Sequence, residues 1–233
     1  MLDIDPLETL VVGSIEGFLT QDERTMLSTL MDQNLSAEIR HRSDAARITS
    51  LHEIPGASVD YARRIYEPEG RVELTELPSQ AASILETASA RSMPLVQSYA
   101  PSVRYARPWT YVEYGAGQFI SSHMDRVAPS PSSRPLQVLG ISVLLNEDIT
   151  GGEFFVETTS NPELWSQESL GRLRFARTAT DVSSDWFNQI PRTRWTACQR
   201  AGDALIYGTH VVHGTLPVRT GRARKFITWF ACS

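Results

Sequence analysis

Cysteine is scarce in this chain: two in 233 residues, Cys198 and Cys232. That excludes a disulfide framework and a multi-cysteine zinc site, and two free thiols fit a reducing compartment. Positive charge is not in excess either. Twenty-two basic against 27 acidic residues give a formal net charge of −5, the opposite of the basic face carried by a general nucleic-acid binder. Long apolar runs are missing, and the N-terminal Met1-Leu2-Asp3-Ile4-Asp5-Pro6 is acidic where a secretory signal needs positive charge. These absences point away from nucleic acid and membrane, and the expected compartment is the cytoplasm. No internal repeat is present, and low complexity is confined to Pro129-Ser130-Pro131-Ser132-Ser133. The remainder is ordinary for a globular protein, with 41% hydrophobic and 21% charged residues, long enough for a single domain over 1–233 with a substantial core.

Two halves differ in period. Residues 1–105 read as a helix-rich support. Glu8 to Gly13 suggests a short strand, and Thr20-Gln21-Asp22-Glu23 has the capping-box pattern that opens a helix, with Leu27, Leu30 and Met31 as its apolar stripe. A second helix is expected over about 79–91, with Ser79 as N-cap and Ala81, Ile84, Leu85 and Ala88 on one face. From Val103 onward the pattern turns to strands: Trp109 to Tyr114, Val138 to Leu145, Phe154 to Val156, Ala204 to Tyr207 and Lys225 to Phe230. Regular turns between them suit a jelly-roll or cupin-like barrel over 106–233.

Within that half lies His123-Met124-Asp125, with His213 far downstream. In a strand, residues i and i+2 share a face, so His123 and Asp125 can chelate one ion while Met124 points away. Two imidazoles and one carboxylate form the facial triad of non-haem Fe(II) oxygenases, which leaves positions open for cosubstrate and dioxygen. Alone the pair is a weak signal. Five histidines and eleven aspartates in 233 residues predict roughly one chance His-x-Asp in four such chains. Order and spacing add to it: Tyr114-Gly115-Ala116-Gly117 before the pair, Leu144-Leu145-Asn146 after it, then Gly151-Gly152-Glu153, Gly202-Asp203, and His213-Gly214 followed by Pro217-Val218.

Over about 108–231 this succession resembles the prolyl-4-hydroxylase-like branch of the Fe(II)/2-oxoglutarate-dependent dioxygenases. The resemblance implies a mainly β fold, a double-stranded β-helix with the N-terminal helices packed outside it. It implies His123, Asp125 and His213 as iron ligands, with 2-oxoglutarate and O2 as cosubstrates. His210 competes for the third position, but Gly214 and Pro217-Val218 favour His213. The family places a basic residue on the last strand, six positions before an aromatic, to hold the distal carboxylate of 2-oxoglutarate. Arg224, Thr228 and Phe230 reproduce that spacing, with Arg222 as the runner-up, although the gap from His213 to Arg224 is a residue or two long. Tyr114 and Arg126 flank the expected pocket as substrate contacts, beside Tyr111 and Ser142.

With the Asp125 carboxylate present, oxygen chemistry is expected rather than halogenation: oxidative decarboxylation of 2-oxoglutarate to succinate and CO2 coupled to oxidation of an unactivated C–H bond. The expected partner is a small molecule, such as an amino acid or biosynthetic intermediate. Alternatives are hydroxylation of a residue in a protein, a non-catalytic cupin-like metal-binding or sensing protein, and a zinc hydrolase. Residues 157–200, with Trp165, Trp186, Trp195 and Arg172, Arg174, Arg177, Arg192 and Arg194, read as an insertion facing substrate.

Overall fold

A computed structural model describes residues 4–35, 71–125, 136–159 and 192–232. The Thr20 capping box forms: its side chain accepts the Glu23 N–H while the Glu23 carboxylate accepts the Thr20 N–H, opening helix α1 (Gln21–Asn34). The second helix, α2 (Ser79–Tyr99), runs well past the expected end, through Pro94, because its face Ala81, Leu85, Ala88, Ser92 and Val96 stays buried. Pro78, not Ser79, occupies its N-cap, with no side-chain cap. The strand expected at 8–13 is instead a 3-10 turn (Pro6–Leu10) followed by strand β1 (Val12–Ile15). Pro6 in the first turn and the Asp5 side chain accepting the Leu7 N–H favour the turn over extension there.

Two antiparallel sheets follow. The larger has the order β1, β10 (Ala204–Gly208), β6 (Leu136–Leu144), β13 (Ala223–Cys232), β4 (Thr110–Tyr114), β2 (Val72–Leu74), with β3 (Tyr105–Ala106) also on β13. The smaller has the order β5 (Ile120–His123), β11 (Val212–Thr215), β8 (Phe154–Thr159), β9 (Arg192–Thr196), and β7 (Thr150–Gly151) pairs with β12 (Val218–Thr220). This is a jelly-roll architecture, mostly β with two described helices. The stretch read as an insertion begins and ends in barrel strands, since β8 and β9 pair directly from Phe155↔Thr196 to Thr159↔Arg192. Residues 160–191, with Trp165 and Trp186, lie outside the described residues.

The larger sheet is buried on both faces, and the period of two sorts its side chains. One face, with Phe226, Phe230, Ile141, Val143, Ile206 and Tyr111, joins Leu27, Met31, Leu85 and Val96 of the helices in the main core. The opposite face, with Val112, Tyr114, Ile227 and Tyr207, looks into the barrel, where smaller clusters around Ile120, Val218, Phe154 and Val211 line it. No helix among the described residues is long and apolar enough to cross a membrane.

Candidate metal centre

His123 and His213 are directly paired across β5 and β11, with ring centroids 4.3 Å apart. Strand β5 ends at His123, so Asp125 reaches the site from the bend that follows and not from the strand itself. Its Oδ1 lies 3.6 Å from His123 Nε2 and 3.5 Å from His213 Nε2. All three ligand atoms fall within 4.8 Å of one another. The cluster expected from the sequence is thus brought together, and its donor set fits a divalent transition metal.

Each imidazole is oriented by its own strand. His123 Nδ1 donates to Ser121 O at 2.7 Å and His213 Nδ1 to Val211 O at 2.9 Å. A carbonyl can only accept, so the proton sits on Nδ1 and the Nε2 lone pair faces the cluster, as metal ligation requires. Burial, with His213 beside it, pushes the His123 imidazolium down to about 3, and burial takes His213 down to about 4. Burial pushes the Asp125 carboxyl up. Two neutral imidazoles and a carboxylate that resists standing alone as an anion form a set that a cation would complete. Tyr207 and Phe154 hold the His213 ring, at centroid distances of 4.2 and 5.4 Å.

Arg224 does not join them. Its guanidinium points to the helix side of β13, donating to Tyr111 Oη at 2.7 Å, Asp32 Oδ1 at 3.1 Å and Ser28 O at 3.2 Å. It also lies 3.7 Å from the buried Glu113 carboxylate, which Arg222 approaches at 3.4 Å. Thr228 shares that side and donates to Arg107 O and Pro108 O at 2.8 and 3.0 Å. Both residues expected at the cosubstrate therefore face away from the barrel interior, because they differ in parity from the strand positions that enter it. His210 is exposed and bonds Thr9 Oγ1 through Nδ1 at 2.8 Å, away from the cluster. Arg126 lies outside the described residues.

The basic side chain that does enter the barrel is Lys225, part of the basic stretch Arg219, Arg222, Arg224 and Lys225 that the sequence offers to an anionic cosubstrate, though not the residue expected to anchor it. It is 2% exposed. Its ammonium donates to Gly152 O at 3.1 Å and Thr215 Oγ1 at 3.4 Å, and lies 5.7 Å from the Tyr114 ring centre. Among the described residues no carboxylate lies within salt-bridge distance of it, and the Glu153 charge reaches it from farther off. Positive φ at Gly151 (75°) and Gly152 (73°) lets the Gly-Gly-Glu turn aim the Gly152 carbonyl at this ammonium. Thr215 is two residues beyond His213 on one strand face, so Lys225 reaches the site roughly 7 Å along β11 from the metal cluster. Tyr114 stands on the same interior face, and its hydroxyl accepts from Arg71 Nη1 at 3.0 Å.

Across the smaller sheet, His123, His213, Val156 and Trp195 form one cross-strand row. Trp195, 60% exposed, thus stands on the metal face two strands from His213, its indole N–H fixed on Thr158 Oγ1 at 3.0 Å. Arg194 takes the other face, bonded to Glu157 at 2.6 Å over the Phe155 ring.

No protein-family model matches the chain, and no curated protein matches it. Solved structures do. A Pseudomonas putida prolyl-4-hydroxylase aligns with TM-score 0.57 and 15% identity over 99% of this chain and 97% of that one. A Trichoplax adhaerens prolyl hydroxylase, solved with a hypoxia-inducible-factor oxygen-degradation-domain peptide fragment, aligns with TM-score 0.55 and 12% identity over 96% and 85%. HygX from Streptomyces hygroscopicus, solved with nickel and 2-oxoglutarate, aligns with TM-score 0.54 and 13% identity over 97% and 85%. At such identities the likeness is one of architecture: the chain has the fold of the prolyl-4-hydroxylase-type 2-oxoglutarate oxygenases.

Proposed function

We propose that this protein is an Fe(II)- and 2-oxoglutarate-dependent dioxygenase that hydroxylates an unactivated C–H bond of a small molecule, releasing succinate and CO2. The observation that carries this is one juxtaposition. Beside the His123/Asp125/His213 cluster sits a buried ammonium, Lys225, which no carboxylate among the described residues approaches within salt-bridge distance and which feels the Glu153 charge only from farther off. Burying a cation is costly unless an anion meets it. A 2-oxo dicarboxylate answers both features, its 2-oxo acid end at the metal and its far carboxylate at Lys225, roughly one two-residue strand step away. HygX, of the same fold, holds nickel and 2-oxoglutarate.

His123, Asp125 and His213 hold the iron, which when bound supplies the activation of dioxygen. The chain's own residues do the rest. The Nδ1 hydrogen bonds fix both imidazoles in the ligating tautomer, and Lys225 and Thr215 take the distal carboxylate. Tyr114 and Ile227 wall the cosubstrate channel with apolar surface that excludes water. Substrate approaches along the row that ends at Trp195, whose exposed ring, two strand spacings or about 10 Å from His213, offers a stacking surface for an apolar body. This favours a small molecule larger than a free amino acid.

The test is anaerobic addition of Fe(II) and 2-oxoglutarate to the metal-free protein, followed by oxygen. A weak visible charge-transfer band, then oxygen uptake matched by succinate, is expected. A zinc hydrolase would consume no oxygen, and a metal-binding sensor would form the metal complex without releasing succinate. Turnover stimulated only by a protein or peptide would move the substrate to a protein residue.

A further inference from the structure

Asp125 is held in a socket built by one row of the larger sheet. Trp229 on β13, Gly140 on β6 and Tyr207 on β10 are direct cross-strand partners. The two outer members carry large rings; the middle one has no side chain. A methyl group at Gly140 would meet Tyr207 Cε2 at 2.4 Å and Asp125 Oδ2 at 2.9 Å. The missing Cβ therefore leaves room first for the Tyr207 ring and, at its edge, for the Asp125 carboxylate. On one side the Trp229 indole Nε1 donates to Asp125 Oδ2 at 2.7 Å. Oδ1, the other oxygen, is the one 3.6 and 3.5 Å from the two histidine Nε2 atoms.

We infer that Trp229 is a positioning residue which, with the notch at Gly140, commits Asp125 to offer a metal one oxygen only. The inference rests on the metal-binding reading above and adds to it what decides the denticity of the carboxylate. Its physical content is a count of positions. Around a six-coordinate metal, two imidazoles and one carboxylate oxygen would take three positions and leave three for other ligands, whereas a carboxylate bound through both oxygens would leave only two. An indole N–H on Oδ2 opposes that rotation, because chelation would forfeit a hydrogen bond at a carboxylate that is only 4% exposed.

The experiment loads the purified full chain with Co(II), which reports affinity by titration and coordination number by the intensity of its visible bands. Trp229 is replaced by Phe and, to keep ring size and packing, by benzothienylalanine, whose sulfur stands where the N–H was. In both variants Co(II) affinity is expected to fall about 10- to 100-fold and the band intensity to change. The metal-free benzothienylalanine protein should keep the wild-type packing and unfold only slightly below the wild-type temperature, by the loss of one hydrogen bond. Gly140→Ala should also lower the affinity, by pushing on the Tyr207 ring and the carboxylate together instead of freeing the carboxylate. Wild-type affinity and an unchanged spectrum in the benzothienylalanine protein would overturn the inference while leaving the metal site standing. Failure of the wild-type chain to bind Co(II) would overturn both.

Discussion

Strand β13 has two faces that do different work. Arg224, Phe226, Thr228 and Phe230 turn toward the helices, where Arg224 ties the sheet to α1 through Asp32 and Ser28 O and the phenylalanines fill the main core. Lys225, Ile227 and Trp229 turn into the barrel, where Lys225 lies beside Thr215 and Trp229 holds the Asp125 carboxylate. One face is scaffold and the other lines the proposed site, and adjacent basic residues fall on opposite sides. The lesson is that a cation's role in a strand is set by its parity before its charge.

The sharpest way to break this division is at the metal. His213→Ala removes one of three ligands, and the charge-transfer band of the Fe(II)–2-oxoglutarate complex should vanish under anaerobic titration. His210→Ala, which removes a contact to Thr9 away from the cluster, should leave the band. The reverse pair of results would place the third ligand elsewhere.

The next largest effect compares neighbours. Lys225→Ala removes a buried charge-assisted contact worth about 2–5 kcal/mol, so 2-oxoglutarate affinity should fall by roughly 30-fold or more with metal affinity retained. Arg224→Ala should change that affinity little. It takes one cation from the Glu113 carboxylate, 0% exposed, which keeps Arg222 and Tyr111, so the loss should appear as roughly 1–3 kcal/mol of stability in urea unfolding. If the Arg224 variant instead lost the cosubstrate and kept its stability, the assignment of faces would be inverted.

What is legible in the sequence of this chain is the information that is local. The Thr20–Glu23 capping box needs only four residues, and it formed as expected. The His123-x-Asp125 pair and His213 were legible because their spacing and following glycine and proline are local too. The choice between Arg224 and Lys225 was not local. Period two says that Arg224 and Thr228 share a face and that Lys225 and Trp229 share the other. It cannot say which face meets the metal when both are apolar, with Phe226 and Phe230 on one and Ile227 and Trp229 on the other. The long gap from His213 to Arg224 gave no help, since Lys225 lies one residue farther still. Gly140 and Tyr207 were equally silent, since their meaning arises only from β6 and β10 being neighbours.

A pH series sharpens the comparison on the interior face. Burial pushes the Lys225 ammonium down to about 8. Binding a carboxylate needs the protonated form, so 2-oxoglutarate affinity should weaken as pH rises through about 8. Lys225→Arg, always charged, should flatten that limb even if its fit is poorer. Folding moves the other way. Between pH 8 and the ordinary lysine value of 10.5 the unfolded chain binds more protons at this residue than the folded one, so its contribution to stability rises with pH there. Subtracting the profile of Lys225→Met isolates the residue from others that titrate in that window, and equal profiles would mean the ammonium is not confined as described.

The smallest effect belongs to the helix layer. Arg91 on α2 reaches Glu23 on α1 with two hydrogen bonds of 2.9 Å. That bond, ahead of the capping contacts with Thr20, holds the Glu23 carboxyl down at about 2 against an ordinary value of 4.5. The sign follows from the depressed folded value: the stabilisation is complete above about 4.5 and is lost as pH falls toward about 2. The Arg91 side chain is 43% exposed, so solvent screens the pair and its worth should not exceed about 1 kcal/mol. Arg91→Gln should therefore lower the urea midpoint slightly at pH 7, narrow the difference from wild type toward pH 2, and leave Co(II) affinity and 2-oxoglutarate affinity untouched. A change in either ligand affinity would show that the helix layer reaches the interior face of β13 after all.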